Sequence, residues 1–225
     1  MIPLKIFIGF DKEEIAAYHV LSQSILSRCS IPVSITPLNR DNIKGLYTRT
    51  RGALESTDFS MSRFLVPYLC NYEGKAIFMD CDMLCLTDIA EIMGLVEDEA
   101  VSCCKHDYVP RNTIKFFGAV QTRYEKKNWS SLMVFNNARC KELTPESVNM
   151  QTGMWLHQMR WADSIGSIPL EWNYLVGEDG QADAMPKILH FTNGTPCIPG
   201  YEDCKYSGLW YEELKKVISP ISLTT

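Results

Sequence analysis

The sequence predicts an α/β domain built on a parallel sheet that helices cover. Three observations carry that expectation: an apolar strand-like run at 5–10, apolar residues at helical spacing after it (Ile15, Tyr18, Leu21, Ile25), and a β-branched run at 33–37. Strand, helix and strand in that order make a β-α-β unit, whose crossover sets two strands parallel and lays the helix over them. The length of 225 residues agrees, because single cores rarely grow past ~250–300 residues.

The first strand ends at Asp11, and the helix behind it repeats at three and four. Pro32 opens the second strand. Residues 39–58 are polar, carry Arg40, Lys44, Arg49 and Arg51, and show no period. A loop of that length in a compact domain is usually functional or mobile. A short or kinked helix is expected at 60–69, because Pro67 removes a backbone donor. A buried strand at 75–79 runs straight into Asp80-Cys81-Asp82. Thr87 or Asp88 can then cap a short helix that reaches Met93. Strands are expected at 100–104, 129–135 and 185–191, and a helix at 154–161. Ser207 caps a last helix with Trp210, Leu214 and Val217 on one face. No repeat, low-complexity segment or linker interrupts the chain, so one domain over 1–225 is expected.

Composition narrows the function. Hydrophobic residues make up 46% and charged residues 22%, a globular mix that excludes a fibrous or disordered chain. A net charge of −5 argues against nucleic acid or an anionic membrane surface as partner, since both want a cationic face. A phosphorylated small molecule held by a few local charges remains open. Nine cysteines without a Cys-x-x-Cys pair give no zinc ribbon and no thioredoxin motif. They read as reduced thiols, several of them filling the core. The run at 1–10 is broken by Pro3 and Lys5 and makes no signal peptide, and no stretch approaches the ~20 apolar residues of a membrane span. A cytoplasmic protein without a transmembrane segment is expected.

Three places carry chemistry. Asp80 and Asp82 are residues i and i+2 behind a buried strand, so on an extended chain both carboxylates point one way. Open α/β sheets bind ligands at such strand ends, and hard oxygen ligands suit Mg²⁺ or Mn²⁺. Aspartates after strands also cap helices or face water. His190 ends another strand-like run before a loop containing Gly194, and its imidazole can complete a borderline metal site. A lone histidine is also a common structural residue, as His19 and His157 are read here. Arg63 lies in an apolar segment and needs an anion partner if buried. A phosphate is one candidate. A salt bridge to Asp82 or Asp58 is the other.

Five motifs occur in one order: the strand with Asp80-Cys81-Asp82, then upstream Ser60-x-Ser62-Arg63-Phe64-x-x-Pro67, the strand at 132–136, Pro169-Leu170-Glu171-Trp172-Asn173, and His190-x-Thr192-x-Gly194. That order, over about residues 5–196, resembles glycosyltransferase family 8, the group that contains glycogenin and bacterial lipopolysaccharide transferases. The resemblance implies a GT-A fold, three α/β/α layers around a mainly parallel sheet. It implies a hexosyltransferase that moves a sugar from a nucleotide diphosphate donor, a UDP-sugar, to a glycan hydroxyl with retention. Asp80, Asp82 and His190 correspond to the ligands of Mn²⁺ (or Mg²⁺). Ile8, Gly9, Phe10 and Asp11 correspond to the nucleoside cradle, and Arg63 to the cation beside the leaving diphosphate. Ser130, Ser131, Asn173 and Gly194 fall at donor-binding positions.

The resemblance also has gaps. Trp129-Ser130-Ser131 stands where the family often has an Asn-Ser-Gly-like triplet. Gln151-Thr152-Gly153 replaces an Asp-Gln pair, and Thr195, Pro196 and Cys197 replace a diphosphate lysine. Lys105, His106 and Asp107 fall in the cleft-lining region but match no motif. No catalytic base is assigned. Two other readings stay open at this point: a phosphatase of the haloacid dehalogenase type using Asp80 and Asp82, and a non-catalytic nucleotide-sugar or carbohydrate-binding module.

Overall fold

A computed structural model describes residues 2–52, 55–107, 125–180 and 184–218. The β-α-β opening forms as expected. β1 (Leu4–Phe10) is followed by α1 (Ile15–Leu26), which buries Ala17, Val20, Leu21 and Ile25, and by β2 (Val33–Asn39), parallel to β1. On its other side β1 pairs, again in parallel, with β3 (Lys75–Met79). Growth of the sheet therefore reverses at β1. Such a switch point opens a crevice beyond the carboxyl ends of the strands, here at Phe10 and Asp11 on one side and Met79 and Asp80 on the other.

Beyond β3 the sheet continues through β6 (Leu132–Asn136), β5 (Val101–Cys104) and β7 (Ile165–Ile168). Among these six strands β6 alone runs against the rest. A smaller sheet joins β4 (Met83–Cys85), β9 (Ile188–His190) and β8 (Tyr174–Leu175). Asp80, Cys81 and Asp82 are the chain between β3 and β4, so this short link ties the two sheets together.

Alternation along β1 shows how both faces are covered. Phe10 meets Tyr18 of α1 with ring centroids 5.4 Å apart. Gly9 faces the other way, where an added Cβ would stand 2.4 Å from the Phe59 ring. Phe59 in turn lies 6.3 Å from Phe78 of β3. Helix α1 thus covers one face and the segment around Phe59 the other.

Several boundaries differ from the sequence expectation, each for a local reason. The segment at 60–69 forms a tight turn over Ser62–Leu65 and then α2 (Val66–Leu69), with Pro67 in the first turn where its missing donor costs nothing. Trp129–Ser131 is a 3-10 turn, so β6 starts three residues late. The helix at 154–161 shortens to α4 (Gly153–His157), capped by Thr152, and Met159 already has φ +53°. Helix α3 (Pro145–Met150) was not foreseen, although Thr144 and Ser147 cap it reciprocally. The cap at Asp88 forms, over the 3-10 helix Ile89–Leu95. Helix α5 (Ser207–Ile218) buries Trp210 and Glu213 against α1.

The arginines of the 39–58 loop brace that loop and dock it on α3. Arg40 donates to the Arg49 carbonyl, Arg51 to the carbonyls of Glu55 and Ser56, and Arg49 to those of Val148 and Gln151. All nine cysteines are free thiols, and Cys70, Cys81, Cys85, Cys103, Cys104 and Cys140 are buried. No helix among the described residues is long and apolar enough to cross a membrane.

Candidate metal centre

Leaving β3, the chain turns at Cys81 and Asp82 before β4 begins. The two carboxylates therefore converge through a turn, not through the strand alternation that the sequence suggested. Cys81 points into the core and is fully buried, and burial, with Glu14 behind it, pushes its thiol well above the usual range. It fills space and does not reach the site. Antiparallel pairing sets Met83 of β4 opposite His190 of β9, which brings the imidazole beside Asp82. His190 Nε2 lies 3.3 Å from Asp82 Oδ1. One ligand atom from each of Asp80, Asp82 and His190 lies within 4.8 Å of the others.

Arg63 completes the charge pattern. It is 5% exposed, and its Nη1 lies 2.7 Å from Asp80 Oδ1 and donates to the Ser130 carbonyl over 2.9 Å. Its Nε donates to the Ser60 carbonyl, and its guanidinium sits 4.9 Å from the Phe78 ring centroid. The partner is Asp80, not the Asp82 or Asp58 that sequence reasoning considered. Two carboxylates against one guanidinium leave this pocket with one negative charge in excess. That donor set, two carboxylates and an imidazole, fits a divalent cation, and with such a cation the pocket turns net positive.

The remaining predicted residues fall into two groups. Ser130 and Ser131 lie at the site's back wall: the Asp80 N–H donates to the Ser131 carbonyl, and Ser130 Oγ bonds His157 Nδ1 at 2.8 Å. Asn173 links Ser131 Oγ to His190 Nδ1, both at 2.9 Å. Asp11 is 2% exposed and accepts from the backbone N–H groups of Glu13 and Asp58, which pins the turn at 57–60 to the end of β1. The Ile8 side chain is in the core, and Gly9 and Phe10 face Phe59 and Tyr18. Gly194, four residues past His190, lies in the loop beyond β9 with φ +147°, where a Cβ would stand 2.8 Å from Tyr201.

Sequence reasoning left His106 without a role. It follows β5, is 7% exposed, and its Nε2 has no partner among the described residues. Burial first, and the neighbouring His190 second, push its ring down to about 4, against the bond it makes to the Asn173 carbonyl. Its place just past a strand end was the available signal.

No protein-family model matches the chain. Protein CDI of Arabidopsis thaliana is 46% identical over 225 residues, covering 95% of this chain and 87% of that protein. The chain belongs to the Protein CDI family. Solved structures extend the comparison at the level of fold. The CDI-family chain matches the glycosyltransferase GlyE of Streptococcus pneumoniae with a TM-score of 0.65 at 14% identity, over 95% of this chain but only 60% of GlyE. It matches the galactosyltransferase LgtC with a TM-score of 0.60 at 11% identity, over 95% of this chain and 96% of LgtC. The family member therefore has the GT-A fold, with the mostly parallel central sheet expected of it.

Proposed function

We propose that the protein is a metal-dependent glycosyltransferase of the family 8 type, moving a sugar from a UDP-sugar to a glycan hydroxyl with retention. The observation that carries this reading is the convergence of Asp80, Asp82 and His190 at the switch point of the sheet. Its fold relatives support it: LgtC was solved with donor and acceptor sugar analogs.

Asp80, Asp82 and His190 would hold a divalent cation, whose contribution would be to neutralise charge developing on the leaving diphosphate. The protein's own residues do the rest. Arg63 holds Asp80 in place and adds a fixed positive charge at the same spot. Ser130 and the Phe78 face keep that guanidinium buried, where its field is screened little by water. Ser131 fixes the Asp80 backbone, so the carboxylates meet the donor preorganised. A phosphoaspartyl mechanism is less well supported, because Asp80 is engaged by Arg63 at 2.7 Å. Nine free thiols support a reducing compartment, the cytoplasm.

A thermal-shift panel of nucleotide sugars with and without Mn²⁺ tests the reading. A donor at 100 times its Kd should stabilise the fold by about 2.7 kcal/mol, and only with metal present. Asp82→Ala should abolish that shift and donor turnover. No shift with any uridine sugar plus Mn²⁺ would sink the assignment, and a shift without turnover across acceptors would favour a binding module.

A further inference from the structure

The hydrogen bonds behind His190 can run in only one direction. The Asn128 carbonyl can only accept, so the Ser131 hydroxyl donates to it over 2.7 Å. With its one proton committed, Ser131 Oγ must accept from Asn173 Nδ2 at 2.9 Å. That turns Asn173 Oδ1 toward His190 Nδ1, also at 2.9 Å, and an amide oxygen cannot donate. The proton between them therefore sits on Nδ1.

We infer that Asn173, oriented by Ser131, is a positioning residue that locks His190 as the Nδ1–H tautomer and leaves Nε2 as the bare nitrogen facing the two aspartates. Asn173 is fully buried, Ser131 is 3% exposed and His190 is 2% exposed, so water does not compete for these bonds. A bare Nε2 opposite a carboxylate oxygen at 3.3 Å sets two lone pairs against each other. A proton on Nε2 or a metal cation between them makes that arrangement attractive, and only the metal leaves the ring neutral. Partners of this kind, which fix a ligand imidazole from behind, set its tautomer, and their loss typically lowers metal affinity.

The fold explains why this residue does it. Asn173 closes the turn Leu170–Asn173 directly before β8, and β8 pairs with β9, which ends at His190. Ser131 stands directly before β6, and its carbonyl receives the Asp80 N–H. One relay thus ties the histidine of the small sheet to the aspartate end of the large one. Asn173 is fully buried behind these partners, so a donor-sugar contact, the role implied by the family resemblance, would require it to be uncovered. The cation part of this inference rests on the metal reading above; the tautomer part does not.

The test uses the whole chain labelled with ¹⁵N-histidine, free of metal, at pH 8. The chain has four histidines, and His190→Gln assigns the signal by its absence. The expected spectrum shows His190 with a protonated Nδ1 and a pyridine-like Nε2. Calorimetric Mn²⁺ titration should show affinity falling about 10–100-fold in Asn173→Ala. Asn173→Asp, whose carboxylate accepts the same Nδ1–H, should stay within a few-fold of the unaltered chain and keep its spectrum. Ser131→Ala frees the amide to flip and should fall between. An Nε2–H tautomer in the unaltered chain, or Asn173→Ala binding Mn²⁺ equally well, overturns the inference. If the unaltered chain shows the Nδ1–H tautomer yet takes up no Mn²⁺, the relay stands and the metal reading falls.

Discussion

Gly9 and Arg63 show what single residues are asked to do beside the candidate site. An added Cβ at Gly9 would meet the Phe59 ring at 2.4 Å, and Phe59 is only 1% exposed, so the ring has nowhere to go. Gly9→Ala should cost about 1–3 kcal/mol, read as a lower urea midpoint with an unchanged slope. Phe59→Leu should recover part of that loss in the double variant, since residues in contact do not act additively. Arg63 is the larger case. Removing it as Arg63→Met strands Asp80 in a mostly buried site and should cost about 3–5 kcal/mol. Arg63→Lys keeps the charge but loses the Nε bond to Ser60, and a loss equal to that of Arg63→Met would count against the ion pair as the main term. The sequence showed that Arg63 needed an anion and where Asp80 stood. It could not show that the two meet, because the Ser130 carbonyl that steers the guanidinium lies 67 residues away.

Elements depend on what they dock against. Helix α5 carries Glu213, 2% exposed, into contact with Arg28 at 2.9 Å and Lys216 at 3.0 Å. Burial works to raise the Glu213 carboxyl, but the bonds from Arg28 and Lys216 outweigh it and hold the group below its usual value. A depressed carboxylate contributes stability above its unfolded pKa of about 4.3 and loses it as pH falls through the folded value. Glu213→Gln should therefore lower stability at pH 7 by about 1–2 kcal/mol, discounted because Lys216 is half exposed, and the deficit should shrink as pH falls below about 4.3. A deficit independent of pH would point to packing instead of charge. The long periodic elements were legible in advance: β1, α1, β3 and α5 all begin within a residue of their patterns. Strands β4, β7 and β8 were not, because two to four residues carry no period and exist only through their ladder partners.

At the scale of the whole molecule, two histidines oppose acid. Burial, helped by Arg63 and Arg49, pushes His157 down to about 3, and burial with His190 pushes His106 down to about 4. Both rings bind protons more readily once unfolded, near pH 6.5, so stability is full above that and declines as pH falls toward the folded values. The urea midpoint should fall between pH 7 and 5, and His157→Gln should make the fall shallower. A midpoint flat over that range would mean that these rings titrate normally in the folded chain. What the sequence determined alone was local: the order of the longer strands and helices, the aspartates at the end of β3 and the histidine at the end of β9. Periodicity and strand ends are written in neighbouring residues, so they survive without coordinates. What tertiary structure alone decided was which of those residues meet. The Arg63 contacts to Asp80 and Ser130 and the relay from Ser131 through Asn173 to His190 join positions 17 to 67 residues apart, and such pairings, like the switch point, are set by the packing of sheets, not by any stretch of chain.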